Sequence, residues 1–135
     1  MAVRQPVVTV PAKGGAPGVP SGSQNVMLTQ WSNIGDVDTC QGVQLSGFPD
    51  QTIEVSGTFS GATIQILGSN SSTDGTANTG TWYTLTDPLG SGNPVQFSAA
   101  GLKVLLHNPL WIRPSTSGGS GSSLNVYLVS KAQNA

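Results

Sequence analysis

Apolar and polar side chains alternate residue by residue in two segments near the middle of the chain, 52–56 and 63–66. This period of two places successive side chains on opposite faces of a β-strand, so that one face packs on a core and the other meets solvent. Glycines and a polar insertion at 69–80 interrupt the alternation where turns are needed. With residues 82–87, these segments predict three consecutive antiparallel strands, and the insertion is expected to form an exposed hairpin tip.

The rest of the chain repeats short strand-like segments between turn residues, and it contains no amphipathic helix longer than a turn or two. Further strands are predicted at 25–31, 43–46, 94–98, 103–107, 110–113 and 124–129. The 18 glycines and 9 prolines supply the turns that many short strands require. About eight or nine strands at intervals of about 8–12 residues are typical of an all-β sandwich or barrel.

The composition narrows the class of protein further. A chain of 135 residues suits one domain, and its charged fraction of 8% is far below the usual quarter. The net charge is −1 and the few cations form no basic stripe, so we expect no nucleic-acid partner. No apolar run approaches the ~20 residues of a membrane helix, so no membrane partner is expected. A surface with so few charges is expected to be covered by copies of the chain or by another partner.

The first 23 residues are rich in proline and glycine and are predicted to form an extended arm ahead of a sandwich domain at 24–135. Two interpretations remain open, a disordered tail and a tether that becomes ordered on a neighbour. The apolar stretch in the arm could add a strand to the edge of a neighbouring sheet. Its residues are the candidate partner-binding contacts Val7, Val8, Thr9 and Val10.

No pattern in the chain indicates a catalytic, cofactor or metal site. His107 is the single histidine and no nucleophile motif accompanies it. Asp36 and Asp38 could hold a cation through oxygen ligands, but the loop around them lacks the EF-hand pattern. The other aspartates mostly lie beside glycine or proline, where turn-forming aspartate is common. Cys40 has no cysteine or histidine nearby, so a small buried side chain is expected there and not a zinc ligand.

The aromatic residues and one arginine are the remaining candidates for function. Trp82 and Trp111 are expected to lie in the core or at a subunit interface, although exposed aromatic faces could also stack on sugars. Arg113 follows Trp111 in the same strand and is expected to pair with Glu54 or Asp87, or with a carboxylate across an interface. The predicted subunit interface therefore consists of Trp82, Trp111 and Arg113.

Five segments in a fixed order carry a resemblance to known proteins. They are GTFSGATIQILGSN at 57–70, WYTLTD at 82–87, FSAAGL at 97–102, LWIRP at 110–114 and SGGSG at 117–121, followed by a closing strand. In this order they resemble small structural proteins of tailed bacteriophages, among them the capsid decoration (cement) proteins on the outside of the head. The resemblance covers roughly residues 43–130. The same pattern of segments also recurs in phage tail and fibre components.

The resemblance implies a jelly-roll-like antiparallel β-sandwich without enzymatic activity or cofactor. It also implies a homodimer or homotrimer that binds the major capsid protein on the outer surface of the virion. The insertion at 69–80 departs from the pattern, and the N-terminal arm lies outside it. The alternative is a tail or fibre component whose sandwich binds carbohydrate through Trp82, Tyr83 or Trp31.

Overall fold

The computed structural model describes residues 2–9, 26–88 and 93–132. Its strands are β1 (Val3–Arg4), β2 (Val7–Thr9), β3 (Val26–Ile34), β4 (Thr39–Cys40), β5 (Asp50–Thr58), β6 (Ala62–Ser69), β7 (Tyr83–Thr84), β8 (Gln96–Phe97), β9 (Gly101–Val104), β10 (Trp111–Gly118) and β11 (Ser123–Lys131). These residues contain no helix, and so none that could cross a membrane.

The strands form two main sheets. One has five strands in the order β2-β3-β11-β5-β9, and all its pairings are antiparallel. In the other, β10 pairs with one edge of β6, and the short strands β7 and β8 pair with the opposite edge. A short parallel pair joins β1 to β4. The prediction of an all-β antiparallel sandwich is confirmed, while the jelly-roll connectivity stays a prediction.

The core lies between the two sheets and is filled by the inward side of each alternating strand. Its fully buried side chains are Trp31, Ile34, Ile53, Ile64, Ile66, Val95, Leu124, Val126 and Leu128, each 0% exposed. The Trp31 indole nitrogen donates to the carbonyl of Gln41 at 2.8 Å, so the one polar atom of this buried ring has a partner. Burial of these apolar side chains supplies the main driving force for folding.

The two central alternating segments belong to different sheets, which corrects the prediction of three consecutive paired strands. β5 pairs with β11 and β9, whereas β6 pairs with β10, β7 and β8. Ser60 and Gly61 have φ values of 46° and 85°, and this left-handed corner carries the chain from one sheet to the other. Of the three predicted strands, β6 and β7 do pair as expected.

Part of the predicted N-terminal arm pairs with the sandwich of its own chain. Val7, Val8 and Thr9 lie opposite Gln30, Thr29 and Leu28 of β3 at the edge of the five-stranded sheet. The Arg4 Nε donates to the Asp38 carboxylate at 2.8 Å. Met1 and residues 10–23 of the predicted arm, including Val10, lie outside the described residues.

Candidate functional site

The three predicted interface residues lie together on the outer face of the smaller sheet. Ile112 is only 2% exposed because its side chain enters the core. Trp111 and Arg113, which flank it in β10, therefore project from the opposite face of the strand. Trp82 lies over Arg113, with 4.6 Å between its ring centroid and the guanidinium carbon.

The insertion at 69–80 folds back onto this outer face, so the prediction of an exposed hairpin tip is wrong in part. The Trp111 indole nitrogen donates to the carbonyl of Ser72 at 3.1 Å. The amide of Gly42 donates to the carbonyl of Gly75 at 2.8 Å, and Gly75 itself is buried. A Cβ on Gly75 would lie 2.4 Å from the Trp111 ring, so only glycine fits this contact. The outward residues of the insertion are exposed, but its inner side packs on β10.

Hydroxyl groups and one carboxylate hold the insertion in shape. The Asp74 carboxylate accepts hydrogen bonds from the Thr76 amide at 3.0 Å, the Thr76 hydroxyl at 2.8 Å and the Thr79 hydroxyl at 2.7 Å. These bonds lower the pKa of Asp74. The Ser72 and Thr79 hydroxyls lie 2.7 Å apart, which joins the two sides of the loop. The insertion is therefore a part of the surface whose conformation is fixed by hydrogen bonds.

Arg113 is a buried charge without an acidic partner among the described residues. Its side chain is 8% exposed, and its Nε is enclosed without a hydrogen-bond acceptor. No carboxylate in the described part of the chain forms an ion pair with it. Glu54, one of its two predicted partners, is exposed on the opposite sheet, where it lies between Tyr127 and Leu102. Burial lowers the pKa of Arg113.

Cys40 lies close enough to Arg113 to interact with it, but it does not act as a counter-ion. The thiol is 2% exposed, and burial raises its pKa to about 12. It is therefore neutral near pH 7 and supplies no negative charge to the guanidinium. An uncompensated buried charge is costly, which makes the Arg113 face a candidate for contact with an anionic group of a partner.

A groove of about 640 Å³ opens on the same sheet, between the insertion and the segment that precedes β10. The residues that line it include Asn70, Thr81, Tyr83, Thr84, His107 and Asn108. Tyr83 is 69% exposed, the most exposed aromatic side chain of the groove. A Cβ on Gly68 would lie 2.5 Å from Pro109 and 2.7 Å from Leu85, so the glycine lets these groups close the floor.

The remaining sequence candidates have structural roles. Trp31 is fully buried, which rules it out as a sugar platform. Asp36 accepts hydrogen bonds from the Gly121 amide at 2.6 Å, the Ser122 amide at 3.0 Å and the Ser122 hydroxyl. Asp38 accepts from Arg4 and from the Gly35 amide. These bonds lower the pKa of both aspartates, and each carboxylate is held by different groups of the chain.

The described residues contain no group of three or more histidine, cysteine or acidic side chains that could hold a metal ion. The His107 Nε2 lies 2.8 Å from the Thr86 hydroxyl at the side of the groove. The sequence did not point to Asn70 and Asn108 as site residues, because they lie far apart in the chain within polar segments. Only the pairing of β6 with β7 and the return of the chain to β10 bring them together.

The family models, the curated proteins and the solved structures gave no match to this chain.

Proposed function

We propose that this protein is a structural virion protein of the capsid decoration (cement) class, without catalytic activity. In this role it binds the major capsid protein on the outer surface of a phage head and associates with copies of itself as a dimer or trimer. The observation that carries the proposal is β2, an exposed strand that pairs with β3 at the edge of the chain's own five-stranded sheet. The resemblance of the segments at 57–121 to phage decoration proteins gives the proposal its direction.

β2 gains little from the sheet to which it is paired. All three of its residues are exposed, with Val7 at 61% and Val8 at 39%. Its pairing therefore depends mainly on backbone hydrogen bonds, each of which contributes only about 1 kcal/mol net. Because the same backbone bonds can form at an equivalent sheet edge of a neighbour, the strand is suited to exchange between subunits.

A cement protein stabilises a lattice by adding contacts across neighbouring subunits. Several weak contacts made at once strengthen one another, because each raises the effective concentration of the next. The small number of charges on this chain favours such close association, since few charged groups must be desolvated. The face with Trp82, Trp111 and Arg113 offers a second contact besides β2.

The proposal is tested by co-sedimentation of the purified protein with phage heads that lack it, with light scattering to give its mass. We expect saturable binding by a defined oligomer and loss of binding when residues 1–23 are deleted. A finer variant is Val7→Asp, which places a charge on β2. Its matched control is Val37→Asp, because Val37 is 69% exposed but lies in a loop. Undiminished binding by the deletion variant would rule out the strand as the capsid contact.

The second candidate is a tail or fibre component with a carbohydrate-binding sandwich. The observation that favours it is the groove beside the exposed ring of Tyr83. Trp82 contributes less than expected, because its ring packs on Arg113 and its indole nitrogen already donates to the Thr79 carbonyl at 3.0 Å. Failure of the full-length protein to bind heads, together with a well-folded oligomer, would favour this candidate.

A further inference from the structure

We infer that the groove between the insertion and residues 107–109 is a binding site for a neutral oligosaccharide. Tyr83 serves as its stacking platform, and Asn70 and Asn108 read the sugar hydroxyls. This inference rests on the second candidate function and specifies its ligand. It uses none of the contacts assigned to capsid binding, so the two can fail separately.

Tyr83 presents an unusually free aromatic face. Its side chain is 69% exposed although it belongs to β7, whose neighbour Leu85 is buried at 4% exposure. The strand fixes the ring at the side of the groove, so little conformational entropy is lost when a flat ligand stacks on it. The apolar face of a sugar ring is such a ligand, since it offers C–H groups to the ring while its hydroxyls point outward.

In Asn70 and in Asn108, one polar atom of the side-chain amide forms a hydrogen bond to the described part of the chain and the other does not. The Asn70 Oδ1 accepts from the Leu110 amide at 2.8 Å, and the Asn108 Nδ2 donates to the Ser46 carbonyl at 2.7 Å. Because a backbone N–H requires an acceptor and a carbonyl requires a donor, these partners fix which way each amide points. Asn70 therefore offers its NH₂ group and Asn108 its carbonyl oxygen, and the side chains form no further hydrogen bonds within the described residues.

This pair matches the chemistry of a sugar diol. Each hydroxyl both donates and accepts, so a fixed donor and a fixed acceptor on one groove can each bind one hydroxyl of the same ring. Thr81 and Thr84 also line the groove. The volume of about 640 Å³ lies within the ~300–1,000 Å³ of known ligand pockets and leaves room for a short oligosaccharide.

The lining also indicates which ligands and which reaction the groove does not favour. The described residues that line it include no aspartate, glutamate, lysine or arginine, so they supply no permanent positive charge to pair with a sialic or uronic acid. Hydrolysis of a glycosidic bond needs two facing carboxyl groups, and this lining has none. The groove is therefore suited to hold a neutral glycan without cleaving it.

The test is a glycan array that carries neutral and acidic oligosaccharides, followed by calorimetric titration of the strongest neutral hit with the full-length protein. We expect neutral hits, and at least about fivefold weaker binding for Tyr83→Ala, since stacking contributes about 1 kcal/mol or more. Tyr83→Phe keeps the ring and should bind within about threefold of the original protein. Tyr127→Ala is the matched control, because it removes the same atoms from the half-buried tyrosine on the other sheet.

Asn70→Asp separates ligand contact from loop structure. The aspartate keeps an oxygen to accept from the Leu110 amide, but it replaces the free NH₂ donor with an acceptor, so the loop should survive while binding falls about tenfold. Thermal melts of all variants check that they fold. Three results would overturn the inference: no neutral glycan bound, acidic glycans bound in preference, or binding that Tyr83→Ala leaves unchanged.

Discussion

The guanidinium carbon of Arg113 lies 4.6 Å from the centroid of the Trp82 ring, and no acidic group of the described residues joins this contact. A cation over an aromatic face gains about 0.5–2 kcal/mol. Removal of a charged group from water costs several kcal/mol, and here that cost is only partly offset. The pair therefore stabilises the isolated chain less than its burial suggests, which leaves Arg113 able to gain from a partner's carboxylate.

Replacement of Arg113 by methionine should separate folding from binding. Methionine fills a similar volume without a charge, so Arg113→Met should leave the free energy of unfolding unchanged or raise it. Trp82→Ala should instead lower it by about 2 kcal/mol, because a half-buried ring is removed. Urea titrations at pH 7 measure both effects.

The same variant tests whether Arg113 meets a partner. If a carboxylate of the capsid or of a second copy pairs with it, Arg113→Met should weaken head binding or oligomer formation although the protein stays folded. A loss of stability above about 1 kcal/mol would show that the guanidinium already has adequate compensation within the chain.

Gly75 and Gly121 form a matched pair for the contact between the insertion and β10. Their φ values are +77° and +83°, so alanine is strained by about 1 kcal/mol at either position. Only at Gly75 would the added Cβ also collide with the Trp111 ring, whereas nothing lies within 4 Å at Gly121. Gly75→Ala should therefore cost about 3 kcal/mol in total and Gly121→Ala about 1 kcal/mol. Equal losses in thermal or urea unfolding would mean that the insertion does not pack on Trp111.

Acid should weaken the fold through the three hydrogen-bonded aspartates, Asp36, Asp38 and Asp74. Their folded-state pKa values are lowered, chiefly by hydrogen bonds from backbone amides and hydroxyls. The unfolded chain therefore binds more protons than the folded one between the unfolded pKa near 3.9 and the lower folded values, so stability falls as pH falls through that range. We expect unfolding free energies that stay level from about pH 7 to 5 and drop below about pH 4.

Asparagine variants check this assignment. Asp36→Asn and Asp38→Asn each remove one titrating carboxylate, so each should reduce the dependence of stability on pH below about pH 4. Asp38→Asn should also loosen the N-terminal residues, because Asp38 is the ion-pair partner of Arg4. An unchanged pH dependence in the double variant would assign the acid sensitivity to other groups.

Periodicity was enough to predict which side chains of β5 and β6 are buried and that the protein is an antiparallel β-sandwich. Ile53, Val55, Ile64 and Ile66 are all inside, as their alternation with polar residues requires. Alternation says nothing about which strand lies beside which, and so it could not show that β5 and β6 belong to different sheets. That separation depends on two left-handed residues, Ser60 and Gly61, and serine there carries no strong sequence signal.

The polar parts of the structure were the least predictable. Trp82, Trp111 and Arg113 do lie in one cluster, but the insertion covers part of it. The insertion is held by hydroxyl and backbone hydrogen bonds, which leave no hydrophobic pattern to read. The groove could not be predicted for the same reason, since Asn70 and Asn108 come together only after these loops are folded.

The rate at which Cys40 reacts with a thiol reagent measures how stably the insertion packs on the rest of the protein. It borders a cavity of about 300 Å³ together with Thr76, Ala77 and Asn78 of the insertion, and it is 2% exposed. Because burial raises the pKa of the thiol to about 12, only about one molecule in ten thousand holds a thiolate at pH 8. A disulfide reagent such as dithionitrobenzoate should therefore react at least about 100-fold more slowly with the native protein than with the urea-unfolded chain.

The rate of this reaction should respond to the insertion more than to the rest of the fold. Gly75→Ala lifts the loop from Trp111 and should accelerate Cys40 labelling in the absence of denaturant. Gly121→Ala strains a turn on which Cys40 does not depend, so it should have a much smaller effect on the rate. If both variants labelled at the rate of the unaltered protein, the thiol would be reached by another route. Rapid labelling of the unaltered protein would contradict its burial altogether.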